Sequence, residues 1–340
     1  MMCLGVASLS SPTMLSGSQM KVSVLMITYN HEEFIAKAID SVLMQRTNFD
    51  FEIVIGEDCS TDNTRNIVVS YQKKYSEKCR ALLNKTNVGM HRNFVQTLQA
   101  CKGKYVAILE GDDYWTSPEK LQRQVEFLDN HPECAICFHN VTEFYKDGNR
   151  ESHNFFDHVQ KEFFTVEDLL PGNFIPTPST MFRRGLFPEL PDWYYSVKMG
   201  DWPLHILNAL HGKIGYIDEI MAVHLNHQNG IWFRRDWLEQ NKASIELYDH
   251  LYSYLGRKYK RIIQRSLHNQ YLVIAEQYEK MSQIGDARRN ALRAFTKHHS
   301  ISKKFARILL RLYVPTLYKF LKSGRRMTFL ILGKIKSNLQ

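Results

Sequence analysis

The 340-residue sequence has few cysteines and no long apolar run. Its six cysteines are scattered between Cys3 and Cys137, too thinly for a disulfide framework, so we expect reduced thiols and a cytoplasmic protein. Cys134 and Cys137 have the spacing of half a zinc site, but no second pair accompanies them, and the apolar run around them predicts a buried strand. Without about twenty consecutive apolar residues, no transmembrane helix is predicted.

Two familiar nucleotide-binding motifs are also missing. No G-x-G-x-x-G follows the first predicted strand and no G-x-x-x-x-G-K-[ST] occurs, which argues against a dinucleotide oxidoreductase and a P-loop NTPase. The first nineteen residues are rich in serine and lack a basic segment. They indicate an ill-ordered leader, or a start at Met20, in preference to a signal peptide.

Acidic residues are absent from the end of the chain, where basic ones are frequent. Residues 287–340 hold fourteen of the 44 Lys and Arg residues and no Asp or Glu. Within them, residues 305–336 mix aliphatic and aromatic side chains with these cations, a pattern typical of a helix on an anionic membrane surface. A helical cap packed on the rest of the protein explains the same pattern, and no motif supports nucleic acid as the partner.

Short apolar runs alternate with helical patterns from Lys21 onwards and predict a layered α/β domain. We expect a disordered leader over residues 1–20, the α/β domain over residues 21–229 and a helical basic region over residues 230–340. The predicted domain has two halves, 21–141 and 142–229. Residues 139–160 are expected to form a surface loop, Asn30 to cap the first helix, and Ser117-Pro118 to begin a later one. The predicted strands are Val22–Thr28, Phe51–Ile55, Ala81–Leu83, Tyr105–Leu109, Cys134–Phe138, Thr180–Arg183, Ile214–Ile217 and Met221–Leu225.

Polar residues stand at the ends of three of the predicted strands. They are Thr28-Tyr29-Asn30, Glu57-Asp58 and Glu110-x-Asp112-Asp113. In an open α/β sheet the ligand binds outside the carboxyl ends of the strands, so these residues are expected to converge. Crowded carboxylates repel unless they share a proton or a cation, and a hard divalent ion with diphosphate oxygens in its shell would satisfy them. A solvated acidic turn is the alternative explanation.

Four segments give the sequence a specific family resemblance. V-S-V-L-M-I-T-Y-N is followed in order by E-I-V-I-G-E-D-C-S-T-D-N-T, N-V-G-M-H-R-N and A-I-L-E-G-D-D-Y-W. Residues 22–141 therefore resemble the nucleotide-binding half of the family 2 glycosyltransferases, which have the GT-A fold, and the resemblance extends over residues 21–229. It implies a Rossmann-like sheet flanked by helices. The implied activity is inverting transfer of a sugar from a nucleotide diphosphate to an acceptor hydroxyl, with Mg²⁺ or Mn²⁺.

The resemblance also implies roles for individual residues around the donor. Thr28 and Tyr29, with Asn30 beside them, would line the nucleobase pocket, and Asp58 would accept the ring N–H of a uracil or thymine base. Asn87, Arg92 and Asn93 match the stretch that faces the ribose and diphosphate. Asp58 could instead cap the following helix, and Arg92 could instead pair with a surface acid.

For the reaction itself the resemblance points to the acidic residues. Asp113 would bind the metal directly, and Asp112 would assist at the metal or at the ribose. Glu110 stands where the family often has Asp, so its contact is left open. M-G-D-W-P-L-H-I resembles the family's acid-at-helix-start motif and makes Asp201 the catalytic base, although Asp201 could merely cap a helix beginning at Trp202. His224 and His227 follow the last strand, and His227 is expected to border the site.

Two other classes remain as alternatives. A nucleotide-sugar-binding partner subunit without turnover is one, and a sugar nucleotidyltransferase is the other. The intact acids oppose the first, and the absence of a Gly-rich basic loop after the first strand opposes the second. The acceptor is expected to be a glycan or lipid-linked glycan, in cell-surface polysaccharide synthesis at the inner face of the membrane.

Overall fold

A computed structural model describes residues 20–146, 148, 150–157, 159, 161–228, 230, 235–297, 302–319 and 321. Except for Met20, the predicted leader lies outside the described residues, as does the chain from residue 322. No helix in the described ranges is long and apolar enough to cross a membrane.

One mixed sheet of ten strands forms the centre of the protein. The strand order is β3-β2-β1-β4-β9-β6-β10-β5, with β7 paired to β6 and β8 paired to β10. The strands are β1 Val22–Thr28, β2 Phe51–Glu57, β3 Cys79–Leu83, β4 Tyr105–Ile108, β5 Tyr114–Trp115, β6 Cys134–Tyr145, β7 His153–Asn154, β8 Phe163–Phe164, β9 Met181–Arg183 and β10 Lys213–Asn226.

Helices cover both faces of this sheet. The first six α-helices are α1 Ile35–Leu43, α2 Thr64–Lys74, α3 Met90–Ala100, α4 Lys120–Asn130, α5 Val166–Leu169 and α6 Asp201–Ala209. Apolar residues of α1, α2 and α4 pack with one face of β1, and those of α3 and α6 lie in the core on the other face. Because β1, β2 and β4 are buried on both sides, they are apolar almost throughout, as parallel central strands are.

The parallel strands end at the same edge of the sheet. β1 pairs in parallel with β2 and β4, so that Thr28 lies opposite Glu57 and Leu25 lies opposite Ile108. The amide of Gly111 then donates to the Ile27 carbonyl, 3.0 Å away. The segments that follow β1, β2 and β4 therefore leave the sheet side by side, as the strand-end argument predicts.

Four local predictions are wrong. Residues 139–145, expected in a surface loop, belong to β6, because their buried polar side chains are hydrogen-bonded and the strand pairs with β10 over its whole length. The two strands expected at Ile214–Ile217 and Met221–Leu225 form one irregular strand, β10. Asn30 does not cap α1, which begins five residues later, and it adopts the left-handed region with φ 55°. Helix α4 begins at Lys120, after Ser117-Pro118. Cys134 and Cys137 are free thiols on buried β6, as predicted.

Four helices follow the sheet: α7 Trp237–Tyr254, α8 Arg257–Lys280, α9 Ile284–Lys297 and α10 Lys303–Tyr313. The hydroxyl of Tyr248 in α7 donates to the Leu170 carbonyl at 2.9 Å, and α7 and the start of α8 share the core of the preceding domain. A domain boundary at residues 229 and 230 stays a prediction. The apolar residues Phe305, Ile308 and Leu312 of α10 pack on α8 and α9, so this face of the basic tail is internal.

Candidate functional site

The acidic turn after β4 gathers three carboxylates. Each of Glu110, Asp112 and Asp113 offers an oxygen, and these oxygens all lie within 4.8 Å of one another. Oδ1 of Asp112 and Oδ2 of Asp113 are buried and have no hydrogen-bond partner among the described residues. Burial raises the pKa of Glu110 well above its usual value, and the charges of Asp112 and Asp113 raise it further. The turn therefore has two buried carboxylate oxygens to which the described residues offer no hydrogen bond.

Asp113 is fixed by the last long strand of the sheet. The backbone amide of Leu225 in β10 donates to its Oδ1 at 2.8 Å. Burial raises the pKa of Asp113 to about 7, although the nearby His224 opposes this increase. His224 itself contacts Glu143 at 2.8 Å. Burial lowers its pKa, but Asp113 and Glu143 outweigh burial and raise that pKa to about 10.

Asp112 lies between two histidines. Its Oδ2 is 3.0 Å from Nε2 of His227 and 3.7 Å from Nε2 of His31. Burial favours the neutral acid, but His31 and the hydrogen bond from His227 outweigh burial and lower the pKa of Asp112 to about 2. His227 thus borders the acidic cluster, as predicted from the sequence. We did not predict His31, whose only sequence signal is its position directly after the polar end of β1.

The end of β1 lies against this turn and against the start of α2. A Cβ atom on Gly111 would come within 2.7 Å of the Thr28 hydroxyl oxygen, so the turn has no room for a larger residue at this position unless Thr28 moves. Asn30 accepts a hydrogen bond from the Thr61 amide at 2.8 Å, and its own amide donates to Ser60 at 3.0 Å. Tyr29 is 42% exposed beside them. These two hydrogen bonds of Asn30 connect the end of β1 to the loop after β2.

Asp58 holds the loop that leads into α3. Its carboxylate accepts hydrogen bonds from the backbone amides of Val88 at 2.8 Å and Gly89 at 2.9 Å. The Asn87 side chain donates to the Asp58 carbonyl at 3.1 Å. Asp58 is 2% exposed, and the preceding Glu57 pairs with Arg65. The structure therefore places Asp58 and Asn87 together at the start of α3.

Asn93 and Arg92 lie on different sides of α3. Asn93 is buried, where its amide donates to the Gly56 carbonyl at 2.8 Å and its oxygen accepts from Asn84 at 3.2 Å. Arg92 is exposed on the outer face of the helix and lines a groove with Tyr195. Of the three residues predicted to face the donor, Asn87 is the one whose side chain is hydrogen-bonded to Asp58 among the described residues.

Asp201 opens α6 on the far side of the acidic turn. The N-cap position is Gly200, so Asp201 is the first helical residue and not the cap of a helix beginning at Trp202. The Asn173 side chain donates to its Oδ2 at 2.8 Å. Burial raises the pKa of Asp201, and backbone hydrogen bonds at Trp202 and Asp201 oppose the increase. Sequence reasoning missed Asn173, which precedes the F-I-P-T-P segment.

A chain of contacts joins Asp58, the acidic turn and Asp201. Asp201 is close enough to Glu110 for its charge to raise the pKa of that residue. Gly200 lies against the first turn of α3, where a Cβ on it would be 3.7 Å from Cε of Met90. That turn starts at Gly89, whose amide binds Asp58. Asp58, the acidic turn and Asp201 are therefore linked through neighbouring segments.

The acidic turn after β4 fits a hard divalent cation. The two unpartnered carboxylate oxygens of Asp112 and Asp113 are anionic oxygen donors, the kind that Mg²⁺ and Mn²⁺ prefer. Burial is the main reason that the pKa values of Glu110 and Asp113 are raised, and the neighbouring carboxylates add to the increase.

Comparison with known proteins identifies the family of the sheet domain. The model of glycosyl transferase family 2 matches residues 23–190, so this region is a family 2 glycosyltransferase domain. An uncharacterised protein of Mycobacterium tuberculosis is 43% identical over 211 residues, which are 62% of this chain. The match spans 60% of the length of that relative.

Two solved structures share the fold. Residues 1–349 of TarS from Staphylococcus aureus, in complex with UDP-GlcNAc, align with a TM-score of 0.53 over 84% of this chain and 93% of that one, at 18% identity. The mannosyltransferase PcManGT from Pyrobaculum calidifontis, in complex with GDP-Man and Mn²⁺, aligns with a TM-score of 0.55 over 89% of this chain and 83% of that one, at 16% identity. The GT-A fold that the resemblance implied is confirmed.

Proposed function

We propose that this chain is an inverting glycosyltransferase that moves a sugar from a nucleotide diphosphate to an acceptor hydroxyl. The observation that carries the proposal is the cluster of Glu110, Asp112 and Asp113 at a sheet edge that also holds Asp58 and Asp201. Both solved neighbours are complexes with nucleotide sugars, which supports a donor of this class.

The donor occupies the ends of β1 and β2. Tyr29, with its exposed ring, packs on the base, beside Thr28 and Asn30. Asp58 accepts the ring N–H of uracil or thymine, and Asn87 faces the ribose. Because both Asp58 oxygens already accept backbone amides, the base would share an oxygen with Val88 or Gly89. Asn93 supports the site through the hydrogen bond that its amide donates to the Gly56 carbonyl of β2.

Asp113 and Asp112 would hold a Mg²⁺ or Mn²⁺ ion, with Glu110 beside them. Bound there, the cation neutralises the charge that develops on the leaving diphosphate. Leu225 and His227 orient the two aspartates, each by a hydrogen bond to one carboxylate oxygen, and leave the other oxygen directed into the cluster.

Asp201 acts as the general base. The acceptor oxygen attacks the anomeric carbon from the face opposite the diphosphate, the bond from that carbon to the diphosphate oxygen breaks, and Asp201 takes the acceptor's hydroxyl proton. Its raised pKa supports this role, since a base works best when its pKa is near the operating pH. Asn173 holds the carboxylate in place.

The acceptor is a cell-surface polysaccharide. Poly(ribitol-phosphate) beta-N-acetylglucosaminyltransferase TarS of Staphylococcus aureus is 36% identical to this chain over 114 residues, which supports an acceptor of this class. The basic tail over residues 287–340 brings the enzyme to an anionic membrane surface. The exposed Tyr313, Leu317 and Leu321, with the cations, would make that contact, because the apolar face of α10 is packed internally.

Nucleotide binding and product stereochemistry test the proposal. A ligand that binds only the native state raises the melting temperature, so UDP or dTDP with Mn²⁺ should raise it more than AMP does. NMR of the product should show an anomeric configuration opposite to that of the donor. A nucleotide sugar that binds without transfer or hydrolysis would favour a partner subunit. Release of pyrophosphate from a nucleoside triphosphate and a sugar phosphate would favour a nucleotidyltransferase.

A further inference from the structure

A groove of about 420 Å³ lies beside the proposed active site, between α3 and the 3-10 helix Asp192–Tyr195. It has the volume of a small-molecule pocket, which is typically about 300 to 1,000 Å³. Its walls are formed by Arg92, Val95, Gln96, Gln99 and Tyr195. Glu110, Asp112 and Asp113 are not among the residues that line it.

One wall is a polar stripe on α3. Arg92, Gln96 and Gln99 have the spacing i, i+4 and i+7, which places them on the same exposed face of the helix. Arg92 is the one charged residue of the groove lining, and it makes no hydrogen bond or ion pair with another described residue. A guanidinium that no protein group neutralises therefore faces the groove.

The other wall is aromatic. The Tyr195 side chain is 42% exposed, and its ring stands perpendicular to that of Tyr194 at a centroid distance of 6.2 Å. Sugar rings have an apolar C–H face that packs on aromatic rings, and their hydroxyls bond to amide groups such as those of Gln96 and Gln99. The two walls together have the chemistry of a carbohydrate site that also accepts an anionic group.

The aromatic wall is connected to the proposed base. The Tyr194 hydroxyl donates to the Gly200 carbonyl at 3.0 Å, and Gly200 directly precedes Asp201. On the α3 side, the His91 ring lies 5.2 Å from the Tyr194 ring and is 3.4 Å from the Met199 carbonyl. The groove thus adjoins the segment that positions Asp201, where the acceptor hydroxyl reacts in the proposed mechanism.

We propose that this groove binds the acceptor, as a subsite for a glycan segment that carries carboxylate or phosphodiester groups. Tyr195 packs on a sugar ring, Gln96 and Gln99 bond to hydroxyls, and Arg92 pairs with the anionic group, bidentately where the geometry allows. The inference rests on the proposed function. It assigns Arg92 to the acceptor, whereas the family resemblance implied a contact with the donor diphosphate.

Calorimetric titration of the full chain with three soluble probes tests the subsite. The probes are an oligogalacturonate, which carries carboxylates, a ribitol-phosphate oligomer, which carries phosphodiesters, and the neutral maltohexaose. At least one anionic probe should bind more tightly than maltohexaose by about tenfold or more, the scale of a charge-assisted hydrogen bond. Whichever anionic probe binds identifies the group. Equal affinity for all three, or no binding of any, would overturn the proposal.

Variants locate the binding in the groove. Arg92→Gln should reduce the affinity for the anionic probe by about tenfold and leave that for maltohexaose unchanged. Tyr195→Ala should weaken every probe by about fivefold or more, as truncating an aromatic anchor does, and Tyr195→Phe should restore the affinity. Arg46→Gln is the matched control, because Arg46 is also exposed but lies in the loop after α1. Wild-type affinities in Arg92→Gln and Tyr195→Ala would place the glycan elsewhere.

The donor reaction separates this inference from the proposed function. The thermal shift with UDP and Mn²⁺, and the hydrolysis of the donor without acceptor, should be unchanged in Arg92→Gln and Tyr195→Ala. If Arg92→Gln abolished the rise in melting temperature caused by UDP and Mn²⁺, Arg92 would be a ligand of the donor diphosphate, and the proposed subsite would be overturned. A dimer that dissociates in Tyr195→Ala, seen by light scattering, would assign the groove to a second copy of the chain and also overturn it. Failure of UDP to bind the wild-type chain would count against the proposed donor alone.

Discussion

Asp113 accepts a hydrogen bond from the backbone amide of Leu225, 112 residues later in the chain. This contact joins the acidic turn after β4 to the end of β10. It uses one carboxylate oxygen of Asp113 and leaves the other, buried and without a partner among the described residues, for a cation. Two segments far apart in the sequence are thus connected at the residue on which the proposed chemistry depends.

Replacement of the proposed base should separate binding from catalysis. Asp201→Asn keeps the Asn173 neighbourhood but cannot take a proton, so transfer should fall by at least about a hundredfold, the scale of a lost general base. The thermal shift with UDP and Mn²⁺ should stay as in the wild type. Asp286→Asn, at the start of α9, is the matched control and should transfer normally. Unchanged turnover in Asp201→Asn would remove this residue from the mechanism.

The hydrogen bond from Asn173 to Asp201 should set the acid limb of the pH profile. Burial raises the pKa of Asp201, and the Asn173 bond lowers it by stabilising the carboxylate. The base must be ionised, so kcat/KM should fall as the pH drops through this raised pKa. Asn173→Ala removes the stabilising bond and should move the acid limb to higher pH. A shift to lower pH, or none, would contradict a direct role for this contact.

The close packing around Gly103 predicts a stability difference between two glycines. A Cβ on Gly103 would lie 2.3 Å from the backbone nitrogen of Ser23, which β1 holds in place, whereas a Cβ on Gly172 meets nothing within 4 Å. Gly103→Ala should therefore lower the free energy of unfolding by about 1–3 kcal/mol or more, as overpacking does. Gly172→Ala is the control and should be close to neutral. Chemical denaturation measures both, and equal effects would contradict this packing.

The basic tail should bind anionic membranes in a salt-dependent way. Residues 322–340 contain five Lys and Arg residues. Each contributes about 1 kcal/mol near an anionic surface, so their deletion should weaken binding by at least about tenfold. Co-sedimentation with phosphatidylglycerol vesicles measures this, and phosphatidylcholine vesicles are the control. Equal binding to both lipids, or no loss on deletion, would favour a tail that only packs on the protein.

The strand-end residues could be predicted from the sequence because each lies at the end of its strand or in the turn that follows it. Apolar runs predicted β1 and β2, and parallel pairing brings the ends of such strands together whatever the details of packing. This argument was sufficient to place Asp58 and the acidic turn at one edge of the sheet.

Contacts between distant segments could not be predicted in this way. His31 and Asn173 have ordinary local sequences, and only the tertiary fold brings them to Asp112 and Asp201. The second part of β6 was missed because Asn140 and Glu143 are buried polar residues whose partners lie on other segments. The internal packing of α10 was also invisible, since an amphipathic pattern does not show what covers its apolar face.

The most direct measurement of the central claim is sugar transfer with and without a divalent cation. The assay uses the nucleotide sugar that gives the largest thermal shift, and compares the wild type, Asp113→Asn and the control Asp286→Asn. EDTA should abolish transfer by the wild type and by Asp286→Asn, and excess Mn²⁺ should restore it. Asp113→Asn should stay inactive with Mn²⁺ present. Full activity of the wild type in EDTA, or of Asp113→Asn, would contradict the account.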